Sequence, residues 1–162
     1  SDLCDLAGDM TLIMWVYAEN NTERDTIFEK AGTSYQSYEQ EIAVTLETNE
    51  TLSWYSRKSS YGYASTSAMT QGSWNMMGIK MSTGKTSTAR TGFRSKNGSS
   101  WVSAWTSRSS TAILTAGAVR VGTGYAGPVE NGYINSVYCW TTMLSDAEVL
   151  DMYDQTKGKF GL

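Results

Sequence analysis

The side chains that most often carry catalysis are scarce in this sequence: histidine is absent from all 162 residues. Its absence removes Ser-His-Asp and Cys-His activation of a nucleophile, and any zinc site that needs imidazole. Two distant cysteines, Cys4 and Cys139, cannot hold zinc alone. Gly84-Lys85-Thr86 lacks the upstream glycine of a phosphate-binding loop. Glycoside cleavage with retention needs two carboxylates about 5–5.5 Å apart. On a strand this means residues i and i+2, and Glu39 with Glu41 is the one pair worth testing; it reads as two solvated edge carboxylates. Asp146, Glu148, Asp151 and Asp154 belong to a helix, where early acids suit the dipole. The residues predict no active site, with a degenerate glycoside hydrolase as a small remainder, and they call for no cofactor.

Aromatic residues are the better clue. Trp and Tyr bind sugars by stacking on their C–H faces, with hydroxyl and amide groups nearby. One cluster, Trp54, Tyr55, Tyr61 and Tyr63, surrounds a Ser-rich stretch. A second pairs Trp101 with Trp105, which on a regular strand would share a face about 7 Å apart. Trp54 and Trp74 are expected in the core.

The positioning elements are mostly strands. Hydrophobic residues make up 40% of the chain and charged residues 18%, so Ser, Thr, Asn and Gly must supply surface polarity, which suits strands and turns. The net charge of -3 argues against nucleic acid as a partner. No apolar run approaches the ~20 residues of a membrane span, and Ser1 to Asp9 has no signal-peptide character. A disulfide between Cys4 and Cys139 is possible, but two separate buried thiols are favoured, because free Cys often packs as a small apolar residue.

Met10 to Ala18 is apolar on both alternating sets, Met10, Leu12, Met14 and Val16 against Ile13, Trp15 and Tyr17. A strand covering one core should alternate apolar with polar, so this one must be covered twice, by a ligand, a partner or a long loop. Strands are also predicted over Asp25 to Ala31, Glu39 to Glu47, Leu52 onward, Trp74 to Ser82, Arg90 to Lys96, Ser100 to Thr106, Ala116 to Val121 and Tyr133 to Thr141. Asn97-Gly98 is the strongest hairpin signal, and Ser56 to Gly72 reads as a long surface connection. Ser145-Asp146-Ala147-Glu148 is a capping box, flanked by Leu144 and Val149 as a staple. It opens a helix from Asp146 to about Asp154 whose Val149, Met152 and Tyr153 face a sheet. The pattern predicts an all-β, two-sheet antiparallel jelly-roll sandwich, a single domain over 1–162 with one short C-terminal helix.

In order, Asp9 to Val16, Thr26 to Gly32, Gly72 to Met81, Ser95 to Gly98, Val119 to Gly124 and Asn131 to Tyr153 resemble the strand and turn signatures of laminin-G-like domains, within the concanavalin-A-like lectin and glucanase superfamily. The closing strand, turn and capped helix are the most specific part. Glucanases of this superfamily carry a third acid near their carboxylate pair, which Glu39-Gln40-Glu41 lacks. The resemblance implies a non-catalytic carbohydrate-binding or adhesion module, at an extracellular or virion surface. It admits a rim Ca²⁺ with Asp25, Glu130 and Asn131 as candidates, although no dense acidic loop exists.

Such domains usually open with one more strand before the element at Asp9, yet only eight residues precede it. Either the chain is a fragment or processed product, or a neighbour strand comes from another molecule. The alternative function is therefore a structural assembly protein of a virus particle or cell surface, such as a decoration, fibre or tail component. Ile13, Trp15 and Tyr17 would form its interface in a homo-oligomer or larger assembly. Glycan or other protein subunits are the expected partners.

Overall fold

The computed structural model describes residues 9–19, 23–31, 40–49, 51–56, 62–65, 68–83, 90–106, 118–124, 127–130 and 132–162. They hold ten strands: β1 (Met10–Ala18), β2 (Asp25–Ala31), β3 (Gln40–Leu46), β4 (Leu52–Ser56), β5 (Gly62–Ser65), β6 (Trp74–Thr83), β7 (Arg90–Lys96), β8 (Val102–Thr106), β9 (Ala118–Val121) and β10 (Gly132–Trp140). Helix α1 (Asp146–Thr156) and a 3₁₀ turn (Lys157–Phe160) follow. Two five-stranded sheets form, in the orders β10-β1-β6-β7-β8 and β5-β4-β3-β2-β9, with every pairing antiparallel. The expected all-β sandwich with one short C-terminal helix is what folds. Strand β5 lies inside the stretch read from sequence as a surface connection.

The main core lies between the sheets. Met10, Leu12, Met14 and Val16 of β1 meet Met77, Ile79 and Met81 of β6, with Phe28, Val44, Leu46 and Leu52 from the second sheet. Unbranched Met side chains suit such a core because they fill irregular gaps. Among the described residues, no helix is long and apolar enough to cross a membrane.

Strand β1 is the second strand from the β10 edge, hydrogen-bonded to β6 on one side and β10 on the other. It needs no neighbour strand from another molecule, which corrects that expectation. Its second apolar face is covered by the chain's own C-terminal segment. Ile13, Trp15, Met76, Leu144 and Val149 form a second buried cluster, with Met152, Tyr153 and Phe160 packed against it. Ile13 and Trp15 are therefore internal and cannot serve as the intersubunit interface expected of them. The Trp15 ring stacks between Tyr153 and Phe160, and its Nε1 donates to Thr156 Oγ1 at 3.1 Å.

The turn into α1 is fixed by side chains of the sheet. Thr11 Oγ1 donates to the Thr142 carbonyl at 2.8 Å and accepts from the Leu144 amide at 3.0 Å. Lys80 Nζ donates to the Leu144 carbonyl at 2.7 Å. The capping box forms as its sequence predicts: Ser145 Oγ accepts from the Glu148 amide, and Glu148 accepts from the Ser145 amide at 2.7 Å. Cys139, paired in register with Leu12, is disulfide-bonded. This overturns the expectation of two separate thiols; the chain's other cysteine, Cys4, lies outside the described residues.

Candidate functional site

Strand alternation and register decide which aromatics reach a surface. On the outer face of the first sheet, Tyr17 pairs with Tyr133 of β10 on one side and with Trp74 of β6 on the other. Cross-strand neighbours on one face stand close enough for rings to meet. Tyr17 and Tyr133 have centroids 5.9 Å apart, and Tyr17 meets Trp74 edge-on at 5.6 Å. Phe160 closes one end, 4.9 Å from Trp74. Tyr133 at the other end is 59% exposed, while Tyr17 and Trp74 are half-buried. The result is a row of three rings across three strands, beginning where the C-terminal segment stops covering the sheet.

From sequence, Tyr17 is expected at an assembly interface and Trp74 in the core, and Tyr133 carries no signal of its own; Trp74, half-buried, does pack against the second buried cluster. Parity along β1 carried a signal: Tyr17 belongs to the same set as Ile13 and Trp15 but stands nearer the strand's end. Nothing local indicated that Tyr133 would be its partner.

The regular strand predicted through Trp101 and Trp105 does not form. Trp101 precedes β8, which begins at Val102 rather than Ser100. The β7–β8 register shifts between Gly92 and Phe93, so that Ser103 pairs with Phe93 and Trp105 with Gly92, skipping Ala104. A bulge of one residue interrupts the regular alternation on which a shared face was predicted, and the side chain of Trp105 lies outside the described residues. Trp101 instead works inside the molecule. Its ring lies 4.6 Å from Lys80 Nζ, its Nε1 donates to the Ser145 carbonyl and its amide to Asp146 Oδ1. Gly78 makes room for it, since a Cβ there would stand 2.8 Å from the indole edge.

The Lys80 ammonium is held below the ordinary lysine range by burial, with Asp146 and Glu148 pulling the other way. The Glu148 carboxyl is held below its usual range by the Ser145 amide and hydroxyl.

The first cluster is brought together in part. Tyr55 and Tyr63 are cross-strand partners on β4 and β5, beside Ser53 paired with Ser65. Tyr55 also pairs with Ala43 and Trp54 with Val44; Ala43 lies on the outer face of the second sheet and Val44 in the core, while the side chains of Trp54 and Tyr55 lie outside the described residues. Tyr61 lies outside the described residues. The same outer face carries Thr26, Glu29, Thr45 and Ser53, all buried, with Glu29 paired to Arg120 at 3.2 Å. Glu41 lies on β3, and Glu39 lies outside the described residues.

Asp25 and Glu130 do meet, but as hydrogen-bond partners: Asp25 Oδ2 accepts from the Glu130 amide at 3.4 Å. Asn131 lies outside the described residues. Among the described residues no group of three His, Cys, Asp or Glu side chains converges.

No family model matches the sequence, and no curated protein does. Solved structures do. The native heptameric SAP-like pentraxin from Limulus polyphemus is 17% identical with a TM-score of 0.63, over 91% of this chain and 70% of that one. The Ruminococcus gnavus IT-sialidase CBM40 bound to alpha2,3 sialyllactose is 11% identical with a TM-score of 0.63, over 91% and 83%. Trypanosoma rangeli sialidase is 12% identical with a TM-score of 0.66 over 93% of this chain, which spans only 23% of that enzyme. Identities this low carry the architecture alone: the chain is a jelly-roll β-sandwich.

Proposed function

We propose that this chain is a non-catalytic carbohydrate-binding or adhesion module of the laminin-G-like type, acting at an extracellular or virion surface. The observation that carries the reading is the row Tyr133, Tyr17 and Trp74, in which the central Tyr17 ring meets each of the other two and Tyr133 is exposed. Aromatic faces with polar tips are what saccharide stacking uses. The Tyr55–Tyr63 pair on the second sheet is a subsidiary candidate for the same chemistry.

The fold is shared with a domain whose solved form holds a sialylated sugar, which supports a binding role. The non-catalytic reading is supported by the absence of His and by carboxylates already engaged: Glu29 with Arg120, Asp25 with the Glu130 amide, and Glu148 in the helix cap. The disulfide at Cys139 fits an oxidising compartment. The assembly alternative loses its proposed interface, because Trp15 is internal.

A glycan array tests the proposal. Wild-type protein should bind saccharides, and Tyr133→Ala, at an exposed position, should keep the fold by circular dichroism while losing that binding. An array on which Tyr133→Ala binds as wild type does would remove the row as the site.

A further inference from the structure

The charge around the row bears on the class of saccharide, an inference that rests on the reading just given. An acidic sugar brings a carboxylate, and setting it against ring faces is costly unless a cation or several N–H donors meet it. Across the three strands that carry the row, Met10–Ala18, Trp74–Thr83 and Gly132–Trp140, the one charged side chain is Lys80.

Lys80 is not available to the row. It pairs in register with Thr11, toward the other end of the strands from the Tyr17–Trp74 pair. It is buried, bonded to the Leu144 carbonyl and flanked by Trp101 and Phe93. Beyond Tyr17, the next charged residue along the chain is the exposed Glu19, of the same sign as an acidic sugar. On the 3₁₀ turn, Lys157 is paired with Asp154 at 2.6 Å, and Lys159 is exposed next to Phe160.

The polar tips of the row are the phenol hydroxyls of Tyr17 and Tyr133 and the indole N–H of Trp74, neutral groups suited to sugar hydroxyls. Three rings spread over three strands also span about 10 Å at the usual strand spacing, a strip rather than a single ring face. We infer that the row recognises an uncharged saccharide chain of at least two units, in preference to an acidic sugar or a monosaccharide.

The test is an array carrying neutral oligosaccharides, their monosaccharides and their sialylated counterparts, followed by tryptophan-fluorescence titration of the best ligands at low and high salt. Neutral oligosaccharides should bind independently of salt, more tightly than monosaccharides, and should weaken about tenfold or more in Tyr133→Ala, equivalent to about 1.4 kcal/mol. A preference for sialylated ligands that falls with salt or in Lys159→Ala, while still requiring Tyr133, overturns the charge inference and leaves the site standing. Equal binding of monosaccharides overturns the chain-length claim. Binding that ignores Tyr133→Ala, or none to either class, overturns this inference together with the proposed function.

Discussion

Trp15 in β1 and Phe160 in the C-terminal 3₁₀ turn stack with ring centroids 4.2 Å apart and planes inclined by 26°. This contact turns a strand with two apolar faces into one with two cores. Truncating the indole removes the stack, the hydrogen bond to Thr156 and the contact with Tyr153 together. Trp15→Ala should cost about 3–5 kcal/mol, read as a lower urea midpoint at unchanged m-value.

The helix cap should show in the acid limb of stability. Glu148 has a folded-state pKa below its unfolded value, so its contribution is complete above the unfolded value of about 4.3 and is lost as pH falls through the folded one. Thermal melts of wild type and Glu148→Gln should therefore differ at neutral pH and converge below the carboxylate range. A difference that stays constant down to low pH would show that the cap charge contributes nothing.

Gly98 follows Asn97 in the β7–β8 turn, and both have positive φ, 73° and 49°. A Cβ at Gly98 would also stand 2.8 Å from Tyr153 Cβ on α1. Gly98→Ala combines backbone strain with displacement of the helix and should destabilise by about 1–3 kcal/mol. Gly72→Ala, with a similar φ but open space around it, should cost less in the same calorimetric comparison.

Cys139 is disulfide-bonded, so a reducing agent should lower the melting temperature of the wild type. Cys139→Ser should show a comparable loss, about 2–4 kcal/mol, and no further response to reduction.

Much of the sandwich was legible because strand patterns and the capping box are local signals. The bounds of β1 and β2 coincide with the sequence reading, and Ser145 and Glu148 form the cap their spacing implies. What covers Ile13 and Trp15 was not legible. The demand for a second cover is written in β1, but its supplier lies in α1 and the 3₁₀ turn, and the choice between a partner and the chain's own helix is a tertiary one. The site was harder for the same reason. One residue skipped at Ala104 breaks the regular strand on which the Trp101–Trp105 pair was predicted, and bulges leave little trace in composition. Tyr133 gains meaning only from its pairing with Tyr17, and cysteine pairing cannot be deduced from spacing.

The pairing of β1 with β10, and its cover by α1, has a consequence for the chain during synthesis. The first strand described finds one neighbour, β10, and its outer cover, α1, far along the chain. Until these emerge from the ribosome, Trp15 and its apolar companions can pair with β6 on one side but lack a second edge partner and a roof, and closure over so long a loop is slow. Such a nascent chain should depend on a holding chaperone more than its modest size suggests.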